Sequence, residues 1–170
     1  MEKIIIVNEK DDILGYKERG TLNPEDIYRV SALWLINSKG DILLAQRSFN
    51  KNNDPGLWGP AVAGTNDENE DYASNMVKEM EEELGLTNLS IKQVFKNFKE
   101  GKHKHFTSWF VATFDQDISE FKIQEDEVEQ IKWFPKEELK QEFQKFPEKF
   151  IVGLKEIFER FESLDNSTNI

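Results

Sequence analysis

The sequence predicts an α/β or α+β sandwich, and three observations predict it. Runs rich in β-branched and aromatic residues recur along most of the 170 residues, each bounded by Gly, Pro, Asn or Asp. Two segments instead repeat apolar residues at three- and four-residue steps, the spacing of an amphipathic helix. These helical segments lie between and after the strand runs, an order that layers helices over a sheet. The length suits one domain, so the expectation is a single domain over residues 1–163 with a flexible tail from 164 to 170.

In chain order, "KIIIVN" (3–8) reads as a strand, and "EKDDILGYKERG" as a turn followed by a second short strand. "YRVSALWLIN" (28–37) is apolar enough for a buried strand, and "NSKGD" turns the chain into "ILLAQRS", which predicts a hairpin. "NKNNDPGLWG" (50–59) is a loop by composition and leads into "PAVAG". From about Glu70 to Leu84, the residues Ala73, Met76, Val77, Met80 and Leu84 form one apolar stripe, and Gly85 stops the helix. Further strands are expected at "LSIKQVFKNF", "HFTSWFVATF" and "VEQIKWF". Pro135 opens "PKEELKQEF", and 146–161 reads as one long helix with Pro147 near its first turn. Its Phe-rich stripe reads as core, with room for a homodimer contact. His103 and His105 read as exposed turn residues. The four tryptophans read mainly as core, with Trp58 or Phe106 available to stack on a base.

Composition narrows the function. At 38% apolar and 32% charged the chain is globular, and its net charge of -11 repels nucleic acid, so no nucleic-acid partner is expected. An anionic substrate would then need a local cation to meet it. The absence of cysteine excludes disulfides, thiolate zinc sites and cysteine nucleophiles. No stretch has the length of a membrane span and "MEKIIIVNEK" lacks a signal-peptide pattern, which gives an expectation of a cytoplasmic protein with no membrane partner.

The segment Gly64 to Leu86 is crowded with acidic residues and holds one basic residue, Lys78. On a helix turning about 100° per residue, Glu79, Glu82 and Glu83 share one face, expected beside the apolar stripe but outside the core. Like charges at this spacing repel unless something relieves them. A hard divalent ion does so, since it seeks oxygen ligands and tolerates substrate phosphates in its shell.

These residues resemble the Nudix box, G-x5-E-x7-R-E-U-x-E-E-x-G-U with U aliphatic. Gly64, Glu70, Glu79, Met80, Glu82, Glu83, Gly85 and Leu86 fill eight of its nine fixed positions, and Lys78 replaces the arginine. The resemblance implies a Nudix-type α/β/α sandwich with a mixed central sheet, and a hydrolase that cleaves a pyrophosphate bond in a nucleoside diphosphate or related derivative. It implies magnesium or manganese held by Glu79, Glu82, Glu83 and the Gly64 backbone, with Glu70 holding the loop and Lys78 bracing a box glutamate less rigidly than arginine would. A general base is expected among the box glutamates, Glu79 and Glu83, or in "IQEDEVEQIKWFPKEEL", where Glu127 is the first candidate and Glu125 the second.

Upstream, "ILLAQRSFNKNNDPGLWGPAVAG" is similar to a subgroup around type I isopentenyl-diphosphate isomerase and its hydrolase relatives, which implies phosphate contacts from Arg47 and Lys51. The isomerase pattern needs a cysteine and a histidine around the box glycine, where this chain has Ala63 and Thr65, and a histidine where it has Tyr28. Hydrolysis is therefore expected over isomerisation. A non-catalytic nucleotide-binding module is the other alternative.

Overall fold

The computed structural model describes residues 2–168, and among them are nine strands and three α-helices; the expected strand runs keep their order, while two short strands at Trp58–Pro60 and Val62–Thr65, the first begun inside the expected 50–59 loop, and a helix at Lys136–Lys145 add to them. The strands are β1 (Lys3–Val7), β2 (Ile13–Glu18), β3 (Ile27–Ile36), β4 (Ile42–Arg47), β5 (Trp58–Pro60), β6 (Val62–Thr65), β7 (Lys92–Lys99), β8 (Lys104–Thr113) and β9 (Val128–Phe134). The helices are α1 (Tyr72–Leu84), α2 (Lys136–Lys145) and α3 (Leu154–Thr168).

Strand β3 organises the mixed sheet. One edge runs parallel to β8 from Ile27 opposite Lys104 to Ile36 opposite Thr113, and β7 completes that side. Its other edge is shared by three antiparallel partners in succession: β1 at Val7 and Ile6, β6 from Thr65 to Val62, and β4 at Leu43 and Ile42. The expected β3–β4 hairpin therefore closes over two residue pairs only. Beyond them β4 leaves β3 to pair with β5 and β9, and β6, carrying Gly64, takes the place beside β3.

Alternation along β3 supplies both faces of the sandwich. Leu33 and Leu35 join Met76, Met80 and Leu84 of α1. Trp34 points the other way, into a core with Leu139 and Phe143 of α2 and Leu154, Ile157, Phe158 and Phe161 of α3. The sheet thus lies between α1 on one face and α2 with α3 on the other.

Three sequence expectations need correction. The predicted 146–161 helix is broken: Pro147–Lys149 form one 3₁₀ turn, and α3 begins after Gly153, whose φ is +90°. The reason is a competing strand contact, because the Ile151 amide donates to Trp58 O at 2.9 Å and Phe150 bridges to Trp58. Helix α3 then continues to Thr168, through the start of the segment expected as a tail, while residues 169–170 lie outside those described. Most of the Phe stripe is core, with Phe150, Phe158 and Phe161 buried and Phe146 partly exposed. His105 lies in strand β8 and not in an exposed turn; it stacks on Tyr28 with ring centroids 5.2 Å apart.

Candidate functional site

Helix α1 has firm ends. Asp71 caps its start reciprocally with Ser74: the Ser74 amide donates to Asp71 Oδ1 at 2.7 Å, and the Asp71 amide donates to Ser74 Oγ at 2.9 Å. Gly85 ends it at φ +67°, with its amide on Glu81 O at 3.0 Å and the Leu86 amide on Met80 O at 3.0 Å. A side chain at Gly85 would also place its Cβ 2.9 Å from the Lys122 Cβ.

Between these ends the buried face is not centred where the apolar stripe predicts. Ala73 and Val77 are exposed, while Asn75, Met76, Met80, Glu83 and Leu84 are buried. The helix is rolled by roughly 60° toward its glutamates, at about 100° per residue. The cause lies in β6. Glu79 packs its carboxylate onto Gly64, and a Cβ at Gly64 would overlap both that carboxylate and the Glu79 Cγ. Only glycine leaves room for the Glu79 side chain in this position.

Glu83 is therefore inside the protein, at 9% exposure, and not beside the core as expected. Burial, together with the negative charges of Glu79 and Glu127, pushes its carboxyl up to about 8, against the opposing pull of the Ala63 amide and Arg47. Glu79 is raised as well, chiefly by burial, with Lys78 and Asn75 pulling it back. Glu82 is exposed on the same helix and adds its field to Glu79.

Beneath the glutamates lies a polar bracket. Lys78 Nζ is 2.7 Å from Glu70 Oε1, 2.8 Å from Asp67 Oδ2 and 3.9 Å from Glu79 Oε1. Three carboxylates thus surround one ammonium group, which raises the lysine well above its ordinary value despite burial. Glu70 Oε2 accepts from the Asp67 amide at 2.8 Å and from Asn75 Nδ2 at 3.0 Å. The same amide group of Asn75 lies 3.2 Å from Glu79 Oε1 and 3.3 Å from Thr65 O. Asn75 and Asp67 are the residues that sequence reasoning missed. The signal for Asn75 is a fully buried amide on the box helix one turn before Glu79, at the i,i+4 spacing that lets it touch that carboxylate.

The opposite wall comes from the ends of β4 and β9. Arg47 and Val128 are paired across a register shift, and the Ser48 amide donates to Glu127 O at 3.0 Å. Arg47 Nε donates to Asn53 O at 3.0 Å, and its charge reaches Glu83. Lys51 Nζ forms a close ion pair with Glu127 Oε2. The turn bearing Glu127 is joined to α1 through the Lys122 amide on Leu84 O at 3.0 Å and the Gln124 amide on Glu83 O at 3.1 Å. Glu79, Glu83, Glu127, Arg47 and Lys51 are thereby gathered around the end of α1. Glu125 is not gathered with them: it is exposed in the turn, with no hydrogen bond or ion pair among the described residues.

A box glycine under a box glutamate, a buried second glutamate, and a third acid delivered by a later turn form one arrangement. The NUDIX domain family model matches residues 27–154, which include all of these groups. The chain belongs to the Nudix family. The uncharacterized Nudix hydrolase lmo0368 of Listeria monocytogenes is 27% identical over 141 residues, covering 82% of this chain and 83% of its own. The uncharacterized Nudix hydrolase PA4841 of Pseudomonas aeruginosa is 27% identical over 148 residues, covering 86% of each. The isopentenyl-diphosphate isomerase of Saccharopolyspora erythraea is 26% identical over 101 residues, 58% of this chain and 52% of its own, in keeping with the subgroup resemblance.

Solved structures share the fold. DR0079 from Deinococcus radiodurans superposes with a TM-score of 0.80 over 94% of this chain and 98% of its own at 23% identity. The Nudix domain of Shewanella oneidensis NrtR, solved with ADP-ribose, gives 0.64 over 92% and 98% at 18% identity. With hydrolases covering more than four-fifths of its length, this Nudix chain is an enzyme of the Nudix hydrolase group. No helix among the described residues is long and apolar enough to cross a membrane.

Proposed function

We infer that this Nudix enzyme is a divalent-metal-dependent pyrophosphohydrolase acting on a nucleoside diphosphate derivative or a related small-molecule diphosphate. The observation that carries the reading is Glu83, buried at 9% exposure with Glu79 and Glu127 adding negative charge around it. A hard divalent cation resolves that conflict, and the donors are all oxygens, which fits magnesium or manganese. Among the described residues no group of three or more acids or imidazoles is already arranged to hold a metal ion. An ion here would therefore draw on a few of Glu79, Glu82, Glu83 and the Gly64 backbone, and complete its shell with water and substrate oxygens, as magnesium characteristically does.

When bound, the metal polarises the attacking water and offsets charge on the phosphoryl oxygens. The chain's own groups do the rest. Arg47 and Lys51 hold the diphosphate by charge-assisted hydrogen bonds. Glu127 accepts the proton of the attacking water, with box glutamates Glu79 and Glu83 as the alternative bases. Gly64, Glu70, Lys78 and Asn75 hold Glu79 in position. The reading places the enzyme in the cytoplasm with no nucleic-acid or membrane partner, and includes a homodimer that sedimentation would reveal.

The test is release of phosphate or nucleotide from a panel of diphosphate compounds with magnesium or manganese. ADP-ribose belongs on it because the Shewanella domain binds it. Wild-type protein is expected to be active only with metal, and Glu83→Gln to lose nearly all activity. Inactivity of the wild type on the whole panel overturns the reading. Isopentenyl diphosphate should yield no allylic isomer, because Ala63 occupies the place of the required thiol. Tight calorimetric binding without turnover would point instead to a nucleotide-binding module.

A further inference from the structure

Lys51 and Glu127, given separate duties above, are bonded to each other, and neither side chain has another hydrogen bond or ion pair among the described residues. Their backbones are fixed. The Lys51 amide donates to Ser48 O at 3.1 Å, Ser48 is bonded to Glu127 O, and the Glu127 and Val128 amides both donate to Gln124 O, at 2.9 and 2.8 Å. Only the side chains are free to part. At 28% and 36% exposure they are partly open to solvent, where an ion pair is weak enough to be exchanged.

We propose that this ion pair is a latch: Lys51 holds the Glu127 carboxylate until a diphosphate draws Lys51 onto its own oxygens and leaves Glu127 free to act. The inference deepens the pyrophosphohydrolase reading and rests on it. The physical basis is competition for one ammonium group. Glu127 offers a single negative charge, whereas a diphosphate offers several and more acceptor oxygens, so the exchange runs toward the ligand. Without a ligand, releasing Lys51 would leave Glu127 beside Glu83 and Glu79 with Arg47 as the remaining cation of this wall, which keeps the latch shut. Lys51 thus acts as a positioning residue for Glu127 in the free enzyme and as a diphosphate contact in the complex.

The test is a double-mutant cycle on binding, read by calorimetry with methylenediphosphonate, a non-hydrolysable diphosphate, in the presence of magnesium. The four proteins are wild type, Lys51→Met, Glu127→Gln and the double variant, each checked for an intact thermal transition. Opening the latch beforehand should tighten binding: Glu127→Gln is expected to bind about two- to fivefold more tightly than wild type, the worth of an ion pair of this exposure. That gain should vanish in the Lys51→Met background. A gain of equal size in both backgrounds, the signature of simple charge repulsion by Glu127, overturns the latch, as does no gain at all. Absence of diphosphonate binding by all four proteins overturns the reading of the site and the latch with it.

Discussion

At Gly64 the lack of a side chain makes the space that the Glu79 carboxylate fills. Gly64→Ala would drive a methyl group into the Glu79 carboxylate. The expected result is a loss of about 1–3 kcal/mol, typical of overpacking, with activity falling further than stability; denaturant melts beside rates check this. Two ionisable side chains, buried Glu83 and half-buried His105, predict opposite pH responses. Glu83 has its pKa raised to about 8, so its contribution to stability is complete below the unfolded value of about 4.5 and is lost as pH rises through 8. His105 has its pKa lowered to about 4, chiefly by burial. Its contribution is present above the unfolded value of about 6.5 and is lost as pH falls toward 4. Denaturant midpoints without divalent ions should show the high-pH decline disappear in Glu83→Gln and the low-pH decline shrink in His105→Phe. The spacing of the acids was legible in the sequence because it is a property of the chain. The depth of Glu83 was not, because it depends on how closely β6 lets the helix approach.

The helices and strands show where local pattern suffices and where a neighbour overrides it. Helix α1 was readable from Met76, Met80, Leu84 and Gly85, while its roll was not, since Ala73 and Val77 look as suitable for burial as the residues that are buried. The break before α3 was missed because a strand contact at Trp58 outweighs a helical periodicity that continues through Ile151. A further tie invisible to local pattern is Asp11, in the turn after β1. Its carboxylate accepts from Arg29 Nε at 2.7 Å and Tyr72 Oη at 3.0 Å, and pairs with Lys96. Burial pushes this acid up, yet Lys96 and Arg29 hold it below the ordinary range. Asp11→Ala should cost about 3 kcal/mol, since it leaves two cations without their partner; chemical denaturation measures it. Gly85→Ala should cost about 1–3 kcal/mol from the left-handed backbone, with a further cost from contact with Lys122.

For the molecule as a whole, charge and fold pull in different directions. A chain of net charge -11 places a buried carboxylate against two others at one end of a helix, so an ion that binds there should stabilise the folded state by mass action. Manganese or magnesium is expected to raise the melting temperature of the wild type, and to do so less in Glu83→Gln; equal shifts would count against an ion at this carboxylate. The layered architecture was legible from the order of strands and helices. The branching of the sheet at β3 was not, because one strand there serves several partners in turn and local sequence does not say which. The branching has a use: it puts the Gly64 strand, the end of β4 and the end of β9 within reach of one helix.

The two amides that join the Glu127 turn to α1, those of Lys122 and Gln124, donate to the last carbonyls of that helix. Their deuterium uptake should therefore follow the slow opening of α1 and not the fast fluctuation of a surface loop. If so, acid and helix travel as one rigid piece, and loops elsewhere can be exchanged to alter substrate choice without disturbing the distance between them.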